Sequence, residues 1–441
     1  MKNFLNFLKR LKFSSPIGLK RQFAKFLNHY DRLLLALLSV VIVITGTIWF
    51  NQYSRGQGGP NTGGTYVQGI VGDSSEADAI AAEITKIGLF HLTSTGELQN
   101  FLIDSWSANE DKTIYNFVLK KDVNPDQIVT DLSNSVDLFG AASFENNGQN
   151  LKVTLPDSNP NLPLLMAQPL FDYGPYKLSK TSGSTYIFTR NPSPLAEAAN
   201  LNTIIIHRYN SQEELQDALK KKKIDGAYYS NGLKVPSGYQ TKTINLSRYY
   251  AVILNVNKSP FRDDAYRQNL LNGQSVAAKE FTLTVPDQEP QKTLANELVI
   301  AWQNQGAKVT LDVKSLSEVR DTVAPTRNFQ AMIIGIDYGA ELDPYYLWDS
   351  SQIRPPSNNL SGVKSDKIDG AIAQIRATYN VNERRNLIDG LHQLLLTQGI
   401  AKILHQETVP YVISDKINMF NPPIPQASHD LVQALDEWWL Q

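Results

Sequence analysis

The stretch "FTLTVPDQEPQKTLANELVIAWQNQGAKVTLDV", Phe281–Val313, contains two kinds of hydrophobic pattern. The runs FTLTV and KVTLDV at its two ends are short and rich in β-branched residues, which is typical of strands. Between them, apolar residues recur at the spacing of one helix face, at Leu294, Leu298, Ala301 and Trp302. Gly306 follows this run and is the predicted helix stop. The stretch therefore predicts a strand–helix–strand unit.

The same alternation occurs on both sides of this unit. "FQAMIIGI" (Phe329–Ile336) and "NTIIIHRY" (Asn202–Tyr209) are continuous apolar strands. The second is followed by "SQEELQDALKKKKIDGAYY", a predicted helix and strand, in which Ser211 is the helix N-cap. Continuous apolar strands that alternate with helices predict a sheet covered on both faces, here in two α/β lobes. We expect the strands at Phe281–Val285, Val309–Val313 and Ala331–Gly335 to share one sheet.

The part of the chain before Pro192 has a different pattern. Apolar and polar residues alternate there as in half-buried strands. The segments with this pattern are "TYVQGIV", "TIYNFVL", "NLKVTL" and "STYIFTRNP".

The N-terminal region predicts a membrane anchor. Leu33–Phe50 is 18 residues long and has no charge, so as a helix it spans about 27 Å. Residues 1–32 contain eight basic residues against the single acid Asp31. By the positive-inside rule the N-terminus is cytoplasmic, and the remainder of this single-pass protein of the cell membrane is extracytoplasmic. Asn51–Gly64 contains five glycines and predicts a flexible linker with a reach of about 20 Å.

Two other interpretations of the apolar run stay open. A cleaved signal peptide is the main alternative, although no A-x-A cleavage site follows the run. A buried helix of a soluble domain is the other, and it is disfavoured because the run is apolar on all faces. The basic segment before it either lies on anionic lipid, with Phe4, Leu5, Leu8 and Leu11 on one face, or acts only as a topology signal.

The charge and cysteine content of the outer part restricts its partners. The residues after Phe50 carry 34 basic and 42 acidic groups, a net charge of −8. This acidic balance argues against nucleic acid as a partner. The chain has no cysteine, so disulfides, thiol chemistry and a lipid-modified cysteine are excluded.

The sequence contains none of the common motifs of catalysis or metal binding. It has no phosphate-binding loop, no G-x-G-x-x-G after a strand and no G-x-S-x-G elbow. Glu341 and Asp343 are a weak candidate for acid–base work, being two residues apart in a predicted loop. We expect neither an enzyme, nor a cofactor, nor a metal ligand. The histidines, which lack metal-ligand spacing, are His29, His91, His207, His392, His405 and His429.

Several segments together resemble the extracytoplasmic solute-binding proteins of ABC importers, in the family that binds oligopeptides, dipeptides and nickel complexes. The resemblance extends, in the family's order, from Gly63 to about Ile417. The segments are "GLFHLTSTGELQNFLIDSWSANEDKTIYNFVLKKDV", "YGPYKL", Asn191-Pro192, "LKKKKIDGAYY", "YYAVILNVNKSPFRDDAYRQNL", "GIDYGAELDPYYLWDSS" and "DKIDGAIAQIRATYNVNERRNLIDGLHQLL".

The resemblance implies a two-lobed periplasmic-binding-protein-like α/β fold of type II. The family's segments after Val123 and after Gly273 are shortened here, which implies a reduced variant. Residues 65–248 and 409–441 are expected to form lobe I, and residues 249–408 lobe II. The implied function is capture of peptides or similar small solutes between the lobes, for delivery to ABC permease subunits. A non-transporting relative that acts as an extracytoplasmic sensor or scaffold is the alternative.

The resemblance makes Gly335–Ser351 the cleft segment. Oligopeptide binders of the family carry there an aspartate that fixes the peptide's α-amino group, and this chain has Ala340 at that position. Asp337 or Glu341 is expected to take its place. The alternative is that these two acids only cap or solvate a loop and that Tyr345 and Tyr346 pack in the core. The predicted ligand-binding residues are Asp337, Tyr338, Glu341, Tyr346, Trp348, Tyr250 and Asn255.

Overall fold

The computed structural model describes residues 62–228, 232–354 and 358–441. The predicted cytoplasmic segment 1–32, the transmembrane helix 33–50 and most of the linker 51–64 lie outside these residues. Among the helices of the described ranges, none has the length and apolar character needed to cross a membrane. The last linker residues lead directly into the first strand, and the Gly63 N–H donates to the Asn200 carbonyl at 2.7 Å.

Eighteen strands are assigned in the described ranges, and ten of them form one sheet in the order β14-β13-β15-β12-β16-β11-β1-β10-β9-β8. The strands are Thr65–Val71 (β1), Phe90–Leu92 (β2), Leu98–Asn100 (β3), Ile103–Ala108 (β4), Ile114–Leu119 (β5), Ser143–Asn147 (β6), Asn150–Thr154 (β7), Tyr176–Ser182 (β8), Thr185–Arg190 (β9), Thr203–Tyr209 (β10), Gly226–Tyr228 (β11), Tyr239–Leu254 (β12), Glu280–Pro286 (β13), Lys308–Lys314 (β14), Ala331–Asp337 (β15), Ala401–Ser414 (β16), Ile417–Asn418 (β17) and Trp439–Leu440 (β18).

The longer helices of the described ranges are Ser74–Thr85 (α1), Pro125–Asn134 (α2), Gln212–Lys220 (α3), Asp264–Leu271 (α4), Gln291–Asn304 (α5), Asp366–Ala377 (α6) and Val381–Thr397 (α7). Short helical turns lie at Val136–Phe139, Leu162–Leu165, Leu316–Glu318, Val319–Val323, Ala324–Thr326, Tyr345–Trp348, Ser350–Ile353, His429–Val432 and Leu435–Glu437.

The three strands predicted to share one sheet do so. β13 pairs in parallel with both β14 and β15, as expected for strands joined by helical crossovers. The helix between β13 and β14, α5, is also as predicted, and Gly306 ends it with a φ of +105°. Its buried face differs from the prediction, because Ala301 is exposed and the residues turned to the core are Gln291, Ala295, Leu298 and Trp302.

Ser211 is the N-cap of α3, as predicted. Its hydroxyl accepts a hydrogen bond from the Glu214 backbone N–H at 3.2 Å, which satisfies one of the free N–H groups of the first turn. The Glu214 carboxylate in turn accepts from the Asn210 N–H at 2.9 Å. The two bonds together fix the point at which the chain leaves β10 and enters the helix.

Helices cover both faces of the sheet around β12, as the sequence predicted. Ala251 and Ile253 point to one face and pack in a core with residues of α6 and α7. Val252 and Leu254 point to the other face and pack with residues of α4 and α5. Because successive strand residues face opposite sides, a continuous apolar run is needed when both faces are buried.

A four-stranded antiparallel sheet, in the order β4-β5-β7-β6, lies beside the main sheet. On β5, Tyr115, Phe117 and Leu119 are buried while Asn116 between them is exposed. This alternation confirms the half-buried strand predicted for "TIYNFVL". The buried face of this sheet packs on α2 and on the helical turn Leu162–Leu165 in a core of its own.

β12 and β16 are the long strands that link the two halves of the main sheet. They pair antiparallel from Tyr239–Ser414 at one end to Ile253–Ala401 at the other. The pairing is interrupted between Asn245 and Tyr249, where three residues of β12 face a single residue of β16. Such a bulge bends a strand locally. The predicted lobe boundaries at 248/249 and 408/409 fall beside it and stay a prediction.

Candidate functional site

The bulge exposes a patch of the sheet face that is otherwise covered by helices. Arg248 and Tyr250 continue the face of β12 that buries Val252, but they lie beyond the cover of α4 and α5. β15 runs antiparallel to β12 here, so Arg248 lies opposite Asp337 and Tyr250 lies opposite Gly335. Directly opposed residues share a face of the sheet. Polar side chains of two strands therefore meet at one exposed place.

Arg248 connects two carboxylates at this place. Its Nε lies 3.7 Å from Asp337 Oδ2, and its Nη1 lies 3.5 Å from Glu407 Oε2 on β16. The Tyr250 hydroxyl donates to the other oxygen of Glu407 at 2.5 Å. Both ion pairs are long, and 47% of the Arg248 side chain is exposed. Exposed pairs of this kind contribute about 1 kcal/mol or less to stability. The Arg248 guanidinium can therefore give up these contacts to donate to another partner.

Arg248 and Asp337 line an open cavity of about 450 Å³, which we call the Arg248 cleft. Its other walls come from the end of α1, from residues 168–170 and from the segment 426–433, all within predicted lobe I. Both signs of charge face it. The lining residues are Glu83, Leu138, Gln168, Pro169, Leu170, Arg248, Asp337, Gln426, Ala427, His429, Asp430 and Gln433.

The acids of the far wall are held in a poorly solvated place. Burial, together with the nearby Asp430 carboxylate, raises the pKa of Glu83 to about 8. Burial also raises the pKa of Asp430, although its carboxylate accepts from the backbone N–H groups of Gln426 and Ala427 at 2.7 and 2.9 Å. A cation bound between these acids would favour their ionised forms and lower both pKa values.

Two aromatic residues of the predicted site lie in the core. Tyr338 is 3% exposed and Trp348 is 2% exposed. The Trp348 indole N–H donates to the Tyr338 hydroxyl at 3.1 Å, and that hydroxyl is 2.9 Å from His392 Nε2. Burial lowers the pKa of His392 to about 4, so the ring is neutral at pH 7. This placement favours a packing role for Tyr338 and Trp348 over direct contact with a ligand.

Glu341 and Tyr346 also belong to the segment Gly335–Ser351, but neither lines the Arg248 cleft. Burial raises the pKa of Glu341 to about 7, and the neighbouring Asp343 carboxylate adds to the rise. Tyr346 is 50% exposed and its ring contacts Tyr345 edge-on. The alternative in which Tyr346 packs in the core does not match this exposure.

Asp343 holds the cleft segment to a distant part of the chain. It is 7% exposed, and its Oδ2 accepts from the Asn161 side-chain amide at 2.7 Å. Arg376 Nε lies 3.1 Å from the same oxygen. The other oxygen accepts from the Tyr345 backbone N–H at 3.0 Å. Asp343 is therefore occupied by structural bonds and is a poor candidate for acid–base chemistry.

Arg384, fully buried, completes this junction. Its Nη2 donates to the Asn161 side-chain oxygen at 2.8 Å, and its Nε donates to the Leu342 carbonyl at 3.2 Å. Its Nη1 donates to the carbonyls of Ile375 and Thr378, each at 2.8 Å. Burial lowers the pKa of Arg384 to about 10, which still leaves it charged at neutral pH.

Asn255, the last predicted site residue, is also structural in its bonding. It is 3% exposed, and its side-chain amide donates to the carbonyls of Arg327 and Phe329 at 3.1 and 3.2 Å. Its side-chain oxygen accepts from the Asn257 N–H at 3.1 Å. The amide thus fixes the turn after β12, and Asn255 does not line the Arg248 cleft.

The structure therefore brings two predicted residues, Asp337 and Tyr250, together with two that the sequence did not indicate, Arg248 and Glu407. Nothing in the local sequence marks the last two, because their proximity depends on the register of β12 against β15 and β16. Glu83 was also missed, because only the position of α1 in the fold brings it to the cleft.

No protein-family model matches the chain, and no curated protein matches it in sequence. Solved structures do match its fold. HbpA2 from Haemophilus parasuis has a TM-score of 0.69 and 14% identity, with 86% of this chain and 100% of that chain covered. The periplasmic murein tripeptide binding protein MppA, in its unliganded open form, has a TM-score of 0.67 and 14% identity, with 87% and 99% covered.

NikZ from Campylobacter jejuni, in complex with Ni(L-His), has a TM-score of 0.52 and 16% identity, with 85% of this chain and 99% of that chain covered. Of these structural neighbours, MppA is a periplasmic binding protein for murein tripeptide, and NikZ is in complex with Ni(L-His). At such low identity the likeness concerns the fold alone. The chain has the mixed α/β fold of the periplasmic binding proteins.

Proposed function

We propose that this protein is the membrane-tethered, extracytoplasmic substrate-binding component of an ABC importer, and that it captures peptides or similar small solutes between two lobes. The observation that carries the proposal is the group Arg248, Asp337 and Glu407 at the bulge between the two halves of the sheet. It presents both signs of charge to one open cleft.

The chemistry of the cleft suits a ligand that carries an amine and a carboxylate. Asp337 and Glu83 are acceptors for a protonated α-amine, and Arg248 is a planar donor for a carboxylate. Asp337 takes the role that the missing aspartate at Ala340 has in oligopeptide binders. A hydrogen bond to a charged group contributes about 1.5–3 kcal/mol when it is shielded from water.

The bulge in β12 is the proposed hinge. A binding protein closes by rotating one lobe against the other about a few backbone positions. The interruption between Asn245 and Tyr249 leaves this part of the ladder with fewer backbone hydrogen bonds than the rest. Because Arg248 and Glu407 lie on opposite strands of the interruption, rotation there changes the distance between them, which couples ligand binding to closure.

The tether and the permease complete the proposal. Leu33–Phe50 anchors the chain, and the linker, with a reach of about 20 Å, keeps the captor close to the membrane. Confinement to this distance raises the effective concentration of the loaded protein at ABC permease subunits.

A second candidate function is a non-transporting sensor or scaffold. It is favoured by bonds that tie residues of predicted lobe I to those of predicted lobe II. The Val381 N–H donates to the Gly96 carbonyl at 2.8 Å, the Asn382 side-chain amide donates to the Thr95 carbonyl at 2.8 Å, and the Tyr379 hydroxyl donates to the Pro160 carbonyl at 3.0 Å. If these bonds persist in solution, the lobes do not separate to admit a solute.

A binding screen tests the proposal. The purified full chain is exposed to a pool of short peptides and to Ni(L-His), retained ligands are identified by mass spectrometry, and their affinities are measured by calorimetry. We expect peptides to bind, and we expect N-acetylation of a peptide to lower its affinity. Asp337→Asn should weaken binding about tenfold or more. Asp321→Asn, an exposed acid paired with Arg320, is the matched control. Retention of no ligand, or equal affinity in both variants, overturns the proposal.

A further inference from the structure

A second, smaller cavity of about 60 Å³ lies beside the Arg248 cleft. We call it the His91 cavity. It is bounded by the end of α1, by β2, by the loop between β9 and β10 and by the last helical turns of the chain. Its volume is that of about two water molecules, which is too small for a peptide. Its polar lining residues are Glu83, Lys86, His91, Gln168, Glu197, Gln433 and Asp436.

Three side chains from distant parts of the sequence meet there. His91 lies on β2, Glu197 lies in the loop between β9 and β10, and Asp436 lies in the turn Leu435–Glu437. One nitrogen or carboxylate oxygen of each lies within 4.8 Å of the other two. His91 Nδ1 forms an ion pair with Glu197 Oε1, and each side chain is only 13% exposed.

Asp436 is the least satisfied of the three side chains, and it lines the cavity. It is 7% exposed, and no other residue of the described ranges donates a hydrogen bond to its carboxylate. Its own backbone N–H is the donor to the carboxylate. A buried carboxylate with so few donors is costly, and the Glu197 carboxylate nearby adds repulsion. One imidazolium between two carboxylates would still leave a net negative charge. The neighbouring Glu437 differs, because its two oxygens accept from the backbone N–H and hydroxyl of Ser94 at 2.7 and 2.5 Å.

We propose that His91, Glu197 and Asp436 bind one divalent first-row transition-metal ion, of which Zn²⁺ is the probe. One imidazole nitrogen and two carboxylate oxygens are an ordinary three-ligand set for such an ion, with a fourth position left open. In a tetrahedral site, bonds of about 2.0–2.2 Å place two ligands of one ion about 3.3–3.6 Å apart. The three atoms lie within 4.8 Å of one another, and the His91–Glu197 ion pair must open to admit the ion.

The donor set also selects among metals. Imidazole suits Zn²⁺, Ni²⁺ and Cu²⁺, whereas Ca²⁺ and Mg²⁺ prefer oxygen ligands alone. None of the three ligands lines the Arg248 cleft, so this site does not depend on the proposed solute-binding function. The bound ion would join the C-terminal segment to β2 and to the loop before β10. A ligand that binds only the folded protein stabilises it.

The test uses the full chain, purified without a histidine tag and treated with EDTA. Zn²⁺ is titrated in a calorimeter, with Ca²⁺ and Mg²⁺ in parallel runs. We expect one Zn²⁺ per chain, a higher melting temperature with Zn²⁺, and no comparable effect of Ca²⁺ or Mg²⁺. His91→Gln, Glu197→Gln and Asp436→Asn should each weaken Zn²⁺ binding by about tenfold or more.

His207→Gln and Glu213→Gln are the controls, because they remove a histidine and a carboxylate outside the cavity, and their Zn²⁺ affinity should be unchanged. If a ligand variant fails to fold, the wild-type protein still decides the question through the stoichiometry and the melting temperature. Absence of Zn²⁺ binding, or equal affinity in the ligand variants and the controls, overturns the proposal and leaves His91 and Glu197 as a structural ion pair.

Discussion

Arg248 is the residue around which the proposed chemistry is arranged. It has long, exposed contacts with Asp337 and Glu407, in contrast to Arg384, whose guanidinium donates four hydrogen bonds inside the protein. The difference is one of solvation and bonding rather than residue type. A guanidinium with weak partners at the rim of a cavity is suited to bind a ligand, while one with four fixed acceptors in the core is suited to hold the fold.

Glu341 allows a residue-level prediction that concerns pH. Because its pKa in the folded protein is about 7 and lies near 4.3 in an unfolded chain, the folded protein binds more protons between these values. The free energy of unfolding therefore falls as the pH rises from about 4.3 to about 7, at up to about 1.4 kcal/mol per pH unit.

Glu341→Gln, which stays neutral, should remove this loss. We expect the variant to match the wild type near pH 4 and to be more stable by about 1–3 kcal/mol at pH 8, measured by urea unfolding. The exposed Glu145→Gln is the control. A stability difference that does not grow between pH 4 and pH 8 would show that Glu341 is ordinarily solvated.

The site residues were predictable from the sequence only beside a continuous apolar run. Asp337 and Tyr250 were accessible to prediction because each adjoins a continuous apolar run. Arg248, Glu407 and Glu83 were not, since strand register and the position of α1 bring them together. The same limit applies to His91, which lacks metal-ligand spacing in the sequence and meets Glu197 and Asp436 only in the folded chain.

At the scale of elements, periodicity predicted most strands of the main sheet and the helices α3 and α5. The strands β13, β14 and β15 and the cap at Ser211 follow from local pattern and capping chemistry. Ala301 shows where this fails, because the face of α5 that becomes buried depends on the position of the neighbouring strands. The bulge in β12 has no signature of its own in the sequence, since it arises from the pairing with β16.

The junction at Arg384 provides a prediction at this scale. It joins α7 to the loop before the short helix Tyr345–Trp348 and to Asn161, through bonds to four acceptors. Arg384→Met removes these four hydrogen bonds and a positive charge beside Asp343. We expect a loss of about 3–5 kcal/mol in the free energy of unfolding, measured by urea denaturation.

Arg320→Met is the matched control for this prediction. Arg320 is exposed and pairs only with the adjacent Asp321, so its loss should cost about 1 kcal/mol or less. If the two variants lose similar stability, the junction at Arg384 does not hold the cleft segment in place.

At the scale of the whole molecule, the predicted membrane anchor can be tested separately from binding. The uncharged run Leu33–Phe50 behind a basic segment predicts that protease added to intact cells removes the outer part and leaves a small protected fragment. The fragment is detected by mass spectrometry. A mature protein that begins near Asn51 in the medium would instead indicate a cleaved signal peptide.

The arrangement in two lobes carries the proposed function, and the sequence offers a clean way to measure it. Because the chain has no cysteine, two introduced cysteines can be labelled without side reactions. Val136 in predicted lobe I and Ile300 in predicted lobe II are each 61% exposed and tolerate a label. Spin labels at these positions report the separation of the lobes.

The most direct measurement is the distance distribution between labels at Val136→Cys and Ile300→Cys, with and without a saturating peptide from the binding screen. We predict that the peptide shifts the distribution to shorter distances and narrows it, and that Asp337→Asn requires about tenfold more peptide for the same shift. A distribution that is narrow without peptide and unchanged at saturation would contradict capture between moving lobes and would favour the scaffold.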